Sequence, residues 1–208
     1  MRRVFAIMLA VFLALPGLAP AQQQGKFAYT ELQQRQPPET ASGKIEVLEF
    51  FWYGCPHCYS LEPTLEGWLK KLPPDVQFVR VPAVFNERWQ YDAAIYYTFE
   101  AMNLVQKLHR PFFDAIHRDN LRTDSRPALA EWLKKQGVDE KRFFDTMGSM
   151  GVDTKLRRAI HLTLAYRIDG TPAMAVQGRY TVAAENARSP EGMLKTVDHL
   201  VETVRKQK

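Results

Sequence analysis

The sequence predicts an α/β protein with a small mixed sheet, helices on the faces of that sheet, and an all-helical insertion. Two apolar strand segments, residues 45–51 and 76–81, flank one helix, and this order is typical of a right-handed βαβ unit with parallel strands. The pattern is then helical from residue 87 to 168, and strands return after Gly170. With 46% apolar and 25% charged residues, the composition is that of an ordinary globular protein.

The first 21 residues have the features of a secretory signal. Arg2 and Arg3 precede an apolar run, Val4 to Leu15, and small residues then lead to Ala21. The apolar run is short for a transmembrane helix, which must cross about 30 Å of hydrocarbon. We therefore expect cleavage near Ala21 and a mature chain that works outside the cytoplasm and is not inserted in the membrane.

The charge of the mature chain argues against nucleic acid as a partner. Without the two arginines of residues 1–21, 26 basic residues face 23 acidic ones, which leaves a net charge of +3. No run of basic residues interleaved with aromatic ones is present. The remaining 187 residues are enough to bury a substantial core.

The first half of the chain contains the strongest local signals. Tyr29–Leu32 is predicted as a short edge strand, and Ile45–Phe51 as a strand buried on both faces, because its apolar run is nearly continuous. A helix is expected to start at Cys55, since Pro56 suits the first helical position, where its missing N–H has no partner to lose. Pro63 lies inside this helix and is expected to kink it.

Five helices are predicted in the insertion, at Tyr91–Leu108, Pro111–Arg118, Pro127–Gln136, Glu140–Met147 and Thr154–Arg167. Ser125 and Asp139 are expected to act as N-caps. After the insertion, a tight turn at Gly178-Arg179 should join two strands, and Ser189 should cap a final helix that reaches Val204.

The cysteine count is the most informative number in the sequence. Cys55 and Cys58 are the only cysteines, and a disulfide between them closes a ring of four residues. Loop-closure entropy gives such a bridge roughly 2 kcal/mol, against roughly 3 kcal/mol for a fifteen-residue loop. The pair is therefore poorly placed as a structural disulfide and well placed as one that opens and closes.

The position of the pair predicts how the two sulfurs differ. Cys55 is predicted to lie at a helix N-terminus, where unbonded N–H groups favour negative charge, and His57 beside it can offer a hydrogen bond or a positive charge. Both effects lower the pKa of Cys55. Cys58 lies one turn further on and should face inward as the resolving cysteine. A stabilised Cys55 thiolate favours the reduced pair, so the disulfide form should be a strong oxidant.

A metal site is the alternative interpretation of the Cys-Pro-His-Cys string. Closed zinc sites need four ligands, normally from two separated pairs. The four remaining histidines show no paired spacing and are expected to be surface or hydrogen-bonded interior residues: His109, His117, His161 and His199. We therefore expect no metal and no other cofactor.

Two segments, residues 50–59 (FFWYGCPHCY) and 170–174 (GTPAM), resemble the active-site segments of the DsbA family, periplasmic dithiol oxidases with a thioredoxin fold. The resemblance implies an α/β, thioredoxin-like fold with a mixed central sheet, built from residues 22–86 and 169–208, and an inserted helical domain at 87–168. It also implies a thiol:disulfide oxidoreductase that donates its disulfide to reduced, newly exported polypeptides. Reoxidation by a membrane quinone-linked protein of the DsbB type follows from the same resemblance.

The resemblance also assigns roles to residues outside the cysteine pair. Pro172 matches the family's cis-proline, and the backbone of Thr171 before it is expected to pair with an extended substrate strand. Glu49 and Glu62 match acidic positions near the active site. Glu49 is expected either to ease proton movement to the second cysteine or to be an acid at a sheet margin bonded to a neighbour. Arg80 occupies a position at which the best-known member of the family has a lysine.

Other functions on the same fold remain open at this point. A disulfide reductase or isomerase would use the same cysteines, but an isomerase of this kind adds a dimerisation domain for which the sequence leaves no room. We accordingly expect a monomer. A non-catalytic chaperone would use an apolar groove and would not need the cysteines.

Overall fold

The computed structural model describes residues 23–24, 27–41 and 43–207. The predicted signal segment, residues 1–21, lies outside the described residues. In the described part of the chain, no helix combines the length and the apolar character that crossing a membrane requires.

A five-stranded mixed sheet forms the centre of the protein, with the strand order β3-β7-β6-β4-β5. Its strands are β3 Thr30–Glu31, β4 Ile45–Phe51, β5 Val76–Pro82, β6 Ala173–Val176 and β7 Tyr180–Ala183. Only β4 and β5 run parallel, and the other pairings are antiparallel. A separate two-stranded sheet consists of β1 Gln23–Gln24 and β2 Phe27–Ala28. The predicted edge strand is therefore confirmed, although it is shorter than Tyr29–Leu32.

Strand β4 separates two hydrophobic cores, and all seven of its residues are buried. Successive side chains point to opposite faces of a strand. Ile45 and Val47 accordingly join a core with helices α1 and α8, whereas Leu48 and Phe50 join a core with the inserted helices. The continuous apolar run of β4 is thus explained by burial on both faces.

The helix that follows β4, α1, spans Pro56–Leu69, with Cys55 as its N-cap and Pro56 in its first turn. It runs through Pro63 and leads to the parallel strand β5, so the predicted βαβ unit is confirmed. The last helix, α8, spans Pro190–Arg205 and is capped by Ser189 as predicted, with the Gly192 N–H donating to Ser189 Oγ at 3.0 Å.

Five helices lie between β5 and β6: α2 Glu87–Ala101, α3 Val105–His117, α4 Arg126–Lys135, α5 Glu140–Met147 and α6 Met150–Ala165. The prediction of one helix over Tyr91–Leu108 and a break before Pro111 is wrong. The chain breaks at Asn103 instead, which adopts a φ of 57°, a conformation that asparagine tolerates. Helix α3 continues through Pro111, because the burial of Phe112 and Phe113 outweighs one missing backbone hydrogen bond.

Capping residues mark the starts of the next three helices. Ser125 and Asp139 cap α4 and α5 as predicted, and Ser149 starts α6 several residues before the predicted Thr154. The hairpin turn is shifted by one residue from the prediction, since Gln177 and Gly178 have the positive φ angles that a tight turn needs. A short helix, α7 Ala184–Ala187, was not predicted.

Candidate active site

The first turn of α1 brings Cys55 and Cys58 together with different exposure. Cys55 is the N-cap residue, and the backbone N–H of Cys58 donates to its Sγ at 3.4 Å. Cys55 is 6% exposed and Cys58 is 0% exposed, and the two thiols are not bonded to each other. The sulfur with access to solvent is therefore the one at the start of the helix.

The surroundings shift the pKa values of the two thiols in opposite directions. The pKa of Cys55 is lowered from 9.0 to about 5, chiefly by the hydrogen bond from the Cys58 thiol and against the effect of partial burial. A side-chain hydrogen bond from Thr171 lowers it further. Burial raises the pKa of Cys58 well above its ordinary value, and the neighbouring Cys55 raises it again. The thiolate therefore forms on Cys55.

Pro56 and His57 contribute through the backbone of the helix start. Pro56 has no N–H, so the first backbone donors near the Cys55 sulfur belong to His57 and Cys58, and both lower the pKa of Cys55. The His57 side chain itself is exposed. The structure thus places the backbone of His57, rather than its ring, among the groups that stabilise the thiolate.

The loop before β6 completes the surroundings of Cys55. The Thr171–Pro172 peptide bond is cis, and the Cys55 thiol donates to the carbonyl oxygen of Thr171 at 3.2 Å. A cavity of about 590 Å³ lies beside this contact, and its lining includes His57, Thr171, Pro172 and Met193. The cavity thus adjoins the loop whose Thr171 carbonyl contacts the reactive sulfur.

Two buried carboxylates share one arginine beneath the cysteine pair. Arg80 Nε lies 3.0 Å from Glu49 Oε2, and Arg80 Nη2 lies 3.3 Å from both oxygens of Glu62. Glu49 belongs to an inner strand and is 0% exposed, so it is not at a sheet margin, although it is bonded to a neighbour. The resemblance placed Glu49 and Glu62 near the site, and the structure brings both carboxylates into contact with Arg80.

The two carboxyl groups differ in their tendency to ionise. Burial raises the pKa of Glu49 to about 8, because the single charge of Arg80 offsets only part of the lost hydration. Burial also opposes ionisation of Glu62, but hydrogen bonds from His109 and Arg80, together with the charge of Arg80, keep its pKa below the ordinary value. One carboxyl group in the pair is therefore protonated near neutral pH.

Sequence reasoning missed two members of this buried cluster, Tyr53 and His109. His109 lies in α3, and its ring nitrogens contact the Tyr53 hydroxyl at 2.9 Å and Glu62 Oε1 at 3.3 Å. His109 falls between the predicted helices Tyr91–Leu108 and Pro111–Arg118, and only the observed helix α3 places it beside the buried Leu108 and Phe112. Among the described residues, no cluster of three or more histidine, cysteine or acidic side chains is arranged to hold a metal ion.

A thioredoxin-like α/β fold with a dithiol at a helix start and a cis-proline loop opposite defines a thiol:disulfide oxidoreductase. The DSBA-like thioredoxin domain matches residues 46–197. The chain is 41% identical over 188 residues to thiol:disulfide interchange protein DsbA of Azotobacter vinelandii, covering 90% of this chain and 87% of the relative. It is 42% identical over 203 residues to the protein of the same name from Bordetella parapertussis, covering 96% of both chains.

A solved structure shows the same similarity in three dimensions. The crystal structure of Pseudomonas aeruginosa DsbA superposes with a TM-score of 0.81 at 39% sequence identity, covering 86% of this chain and 93% of that chain. This protein therefore belongs to the DsbA family of thiol:disulfide oxidoreductases.

Proposed function

We propose that this protein is a periplasmic dithiol oxidase, which donates its Cys55–Cys58 disulfide to reduced, newly exported unfolded polypeptides. The observation that carries the proposal is the opposite shift of the two thiol pKa values, with Cys55 lowered to about 5 and Cys58 raised. A stabilised thiolate makes the dithiol form favourable, and a favourable dithiol form makes the disulfide a strong oxidant.

The transfer begins when a substrate thiolate attacks Cys55 Sγ, the sulfur with access to solvent. The Cys55–Cys58 bond breaks, the substrate becomes linked to Cys55 in a mixed disulfide, and Cys58 leaves as a thiolate. Because the pKa of Cys58 is strongly raised, it takes up a proton at once. Reversal of this step requires Cys58 to lose that proton again.

The second step releases the substrate as a disulfide. A second thiolate of the substrate attacks the substrate sulfur of the mixed disulfide, and Cys55 leaves as a thiolate. A thiol of low pKa is a good leaving group, so this step is also favoured by the surroundings of Cys55. In total, the substrate dithiol loses two electrons and two protons. The protein gains both electrons and ends with the Cys55 thiolate and the Cys58 thiol, and the second proton goes to solvent.

Groups around the pair are proposed to orient the substrate and to move the proton. The backbone of Thr171, which lies against the Cys55 sulfur beside Pro172, would pair with an extended substrate segment. The protonated carboxyl of Glu49 would supply the proton that Cys58 takes up, with Glu62 and Arg80 holding the compensating charges.

Location, partners and domain organisation complete the proposal. Residues 1–21 would direct export to the periplasm and be removed near Ala21, which leaves a monomer outside the membrane. Because the reduced form is favoured, turnover requires a stronger oxidant, for which we propose a membrane quinone-linked protein of the DsbB type. The position of α2–α6 between β5 and β6 supports a helical domain at 87–168 inserted into a thioredoxin-like domain of 22–86 and 169–208.

The redox equilibrium of the pair with glutathione tests the direction of transfer. The oxidase proposal expects Cys55 and Cys58 to remain reduced at glutathione ratios that oxidise most dithiols, and expects the oxidised protein to oxidise a reduced peptide stoichiometrically. A pair that is oxidised as readily as an ordinary dithiol would instead indicate a reductase.

Two single-cysteine variants test the assigned roles. Cys55→Ser should abolish peptide oxidation, whereas Cys58→Ser should accumulate a mixed disulfide through Cys55. Retention of a folding-assistance activity by Cys55→Ser, together with no peptide oxidation by the unsubstituted protein, would indicate a chaperone.

A further inference from the structure

A continuous chain of buried hydrogen bonds connects the helical insertion to the carboxylates below the cysteines. The Tyr53 hydroxyl lies 2.9 Å from His109 Nδ1, and His109 Nε2 lies 3.3 Å from Glu62 Oε1. Glu62 then contacts Arg80 through both of its oxygens. His109 is the only member of this chain that α3 contributes, and the disulfide transfer described above does not use it.

The partners of the His109 ring determine which nitrogen carries its proton. Burial raises the pKa of Tyr53 well above its ordinary value, so the phenol keeps its proton and donates it to Nδ1. Burial also lowers the pKa of His109, so the ring is neutral. A neutral ring that accepts at Nδ1 carries its hydrogen on Nε2 and donates it to Glu62.

Glu62 and Glu49 consequently differ in the number of hydrogen bonds that stabilise their ionised forms. Glu62 accepts hydrogen bonds from His109 and from Arg80 at both oxygens. Glu49 has an ion-pair contact with Arg80 at 3.0 Å, but neither of its buried oxygens has a hydrogen-bond partner of good geometry among the described residues. One arginine charge cannot compensate two buried anions, so the less supported carboxyl group retains a proton.

We propose that His109 is a positioning residue which, by donating its Nε2–H to Glu62, fixes Glu62 as the ionised partner of Arg80 and leaves the buried proton on Glu49. The inference rests on the proposed function in one respect, namely the use of that proton by Cys58. Glu49 is electrostatically coupled to Cys58, so the location of the proton matters to the departing sulfur.

The aromatic packing around His109 holds its ring in the required orientation. Phe51, Tyr96 and Phe113 meet the ring edge to face, with centroid distances of 5.4, 6.0 and 5.2 Å. The titratable and charged groups around His109 and its hydrogen-bonded partners come from β4, the segment before α1, α1, β5 and α2. They are Glu49, Tyr53, Cys58, Glu62, Glu66, Arg80, Asp92 and Tyr96. Of these, Arg80 is the only cation.

The first test uses the unsubstituted full chain and nitrogen NMR of its histidine rings. We expect the His109 ring to be neutral near pH 7, with its hydrogen on Nε2. A charged ring, or a hydrogen on Nδ1, would overturn the proposal, and this outcome does not depend on any variant folding.

The second test follows the glutamate carboxyl carbons by NMR as the pH is varied. In His109→Phe, Glu62 loses a donor, so the pKa of Glu49 should fall by ~1 unit and that of Glu62 should rise. In His109→Gln, the amide can donate to Glu62 and accept from Tyr53, so the Glu49 titration should stay close to that of the unsubstituted protein. An unchanged Glu49 titration in folded His109→Phe, or equal titrations in the two variants, would refute the positioning role.

A kinetic measurement separates this inference from the proposed function. As the pH rises and Glu49 loses its proton, the rate of peptide oxidation should fall. This fall should occur at a pH ~1 unit lower in His109→Phe than in the unsubstituted protein, and at an unchanged pH in His109→Gln. A shifted carboxyl titration with an unchanged rate profile would support the positioning of Glu62 by His109 and overturn the use of the Glu49 proton by Cys58. His161→Phe, on the exposed face of α6, is the matched histidine control and should change neither readout.

Discussion

The backbone N–H of Cys58 points at the sulfur of Cys55 from a distance of 3.4 Å, and Cys55 is at the same time the N-cap of the helix that contains Cys58. An N-cap side chain normally supplies an oxygen to the first free N–H groups of a helix. Here a sulfur takes that position, so capping the helix and stabilising the thiolate are the same interaction.

Removal of the Thr171 hydroxyl should raise the pKa of Cys55. Thr171→Val keeps the backbone carbonyl that contacts the sulfur but deletes one side-chain hydrogen bond to the thiolate. We expect a rise of about one pKa unit, which corresponds to about 1.4 kcal/mol, the lower end for a hydrogen bond to a charged group. The ultraviolet absorbance of the thiolate against pH measures this change. The control is Thr154→Val, which changes an exposed threonine on α6 and should leave the pKa of Cys55 unchanged. If the unsubstituted protein and both variants titrate alike, the Thr171 hydroxyl does not stabilise the thiolate.

The stability of the reduced protein relative to the oxidised protein should increase with pH between about 5 and 9. The pKa of Cys55 is about 5 in the folded protein and 9.0 ordinarily, so in this window the unfolded chain holds a proton that the folded protein has lost. The contribution is fully present above pH 9 and is lost as the pH falls through 5. One proton gives a slope of at most about 1.4 kcal/mol per pH unit.

Denaturant unfolding of both redox forms at several pH values measures this difference. Subtracting the oxidised form removes the effect of Glu49, whose raised pKa acts on both forms. A difference that is flat from pH 5 to 8, or that grows as the pH falls, would be inconsistent with a stabilised Cys55 thiolate.

Loss of the Arg80 charge should destabilise the fold strongly. Arg80→Met leaves the ionised Glu62 buried without its cation, and breaking a buried pair in this way costs about 3–5 kcal/mol. Urea unfolding measures the lost free energy as a lower midpoint concentration, provided that the dependence of the unfolding free energy on urea concentration is unchanged. The matched control is Arg35→Met, whose side chain is 66% exposed and lies 4.0 Å from Glu31, and it should change stability by less than about 1 kcal/mol. Equal effects of the two substitutions would show that Glu62 is not a buried anion.

Local signals in the sequence were enough for the reactive half of the fold. The buried strand β4, the proline in the first turn of α1 and the serine cap of α8 each depend on neighbours in the sequence. The bounds of β4 and α8 and the start of α1 were predicted within a residue or two. The break at Asn103 was not predicted because a proline eight residues later is the stronger breaker in isolation. Only the tertiary packing of Phe112 and Phe113 allows α3 to pass through Pro111.

The site was predictable to the extent that its residues lie in one motif. The different roles of Cys55 and Cys58 were predicted from the helix start alone. The contact between Glu62 and His109 joins residues 47 positions apart, on the active-site helix and on an inserted helix, and no periodicity in the sequence encodes that pairing. The backbone role of His57 was equally hidden, because side-chain chemistry suggested the ring as the donor.

Alanine substitutions at two glycines should change stability in opposite directions. Gly178 has a φ of +60°, and a Cβ there would lie 1.8 Å from the carbonyl oxygen of Gln36, whose N–H donates to Gly178 O at 2.7 Å. Gly178→Ala should therefore cost more than about 1 kcal/mol, since the turn and the segment before β4 cannot both keep their positions. Gly67, inside α1, has open space where a Cβ would be, so Gly67→Ala should gain about 0.5–1 kcal/mol.

Denaturant unfolding of the two glycine variants measures both changes, and hydrogen exchange shows where the first one acts. The amides of Leu32 and Gln36, which donate to Arg179 O and Gly178 O, should exchange faster in Gly178→Ala and at the original rate in Gly67→Ala. Because the strained turn joins β6 to β7, the loosening should stay at the β3 edge of the sheet and leave the Cys55 titration unchanged. Stability changes of the same sign in both variants would contradict the turn geometry on which this prediction depends.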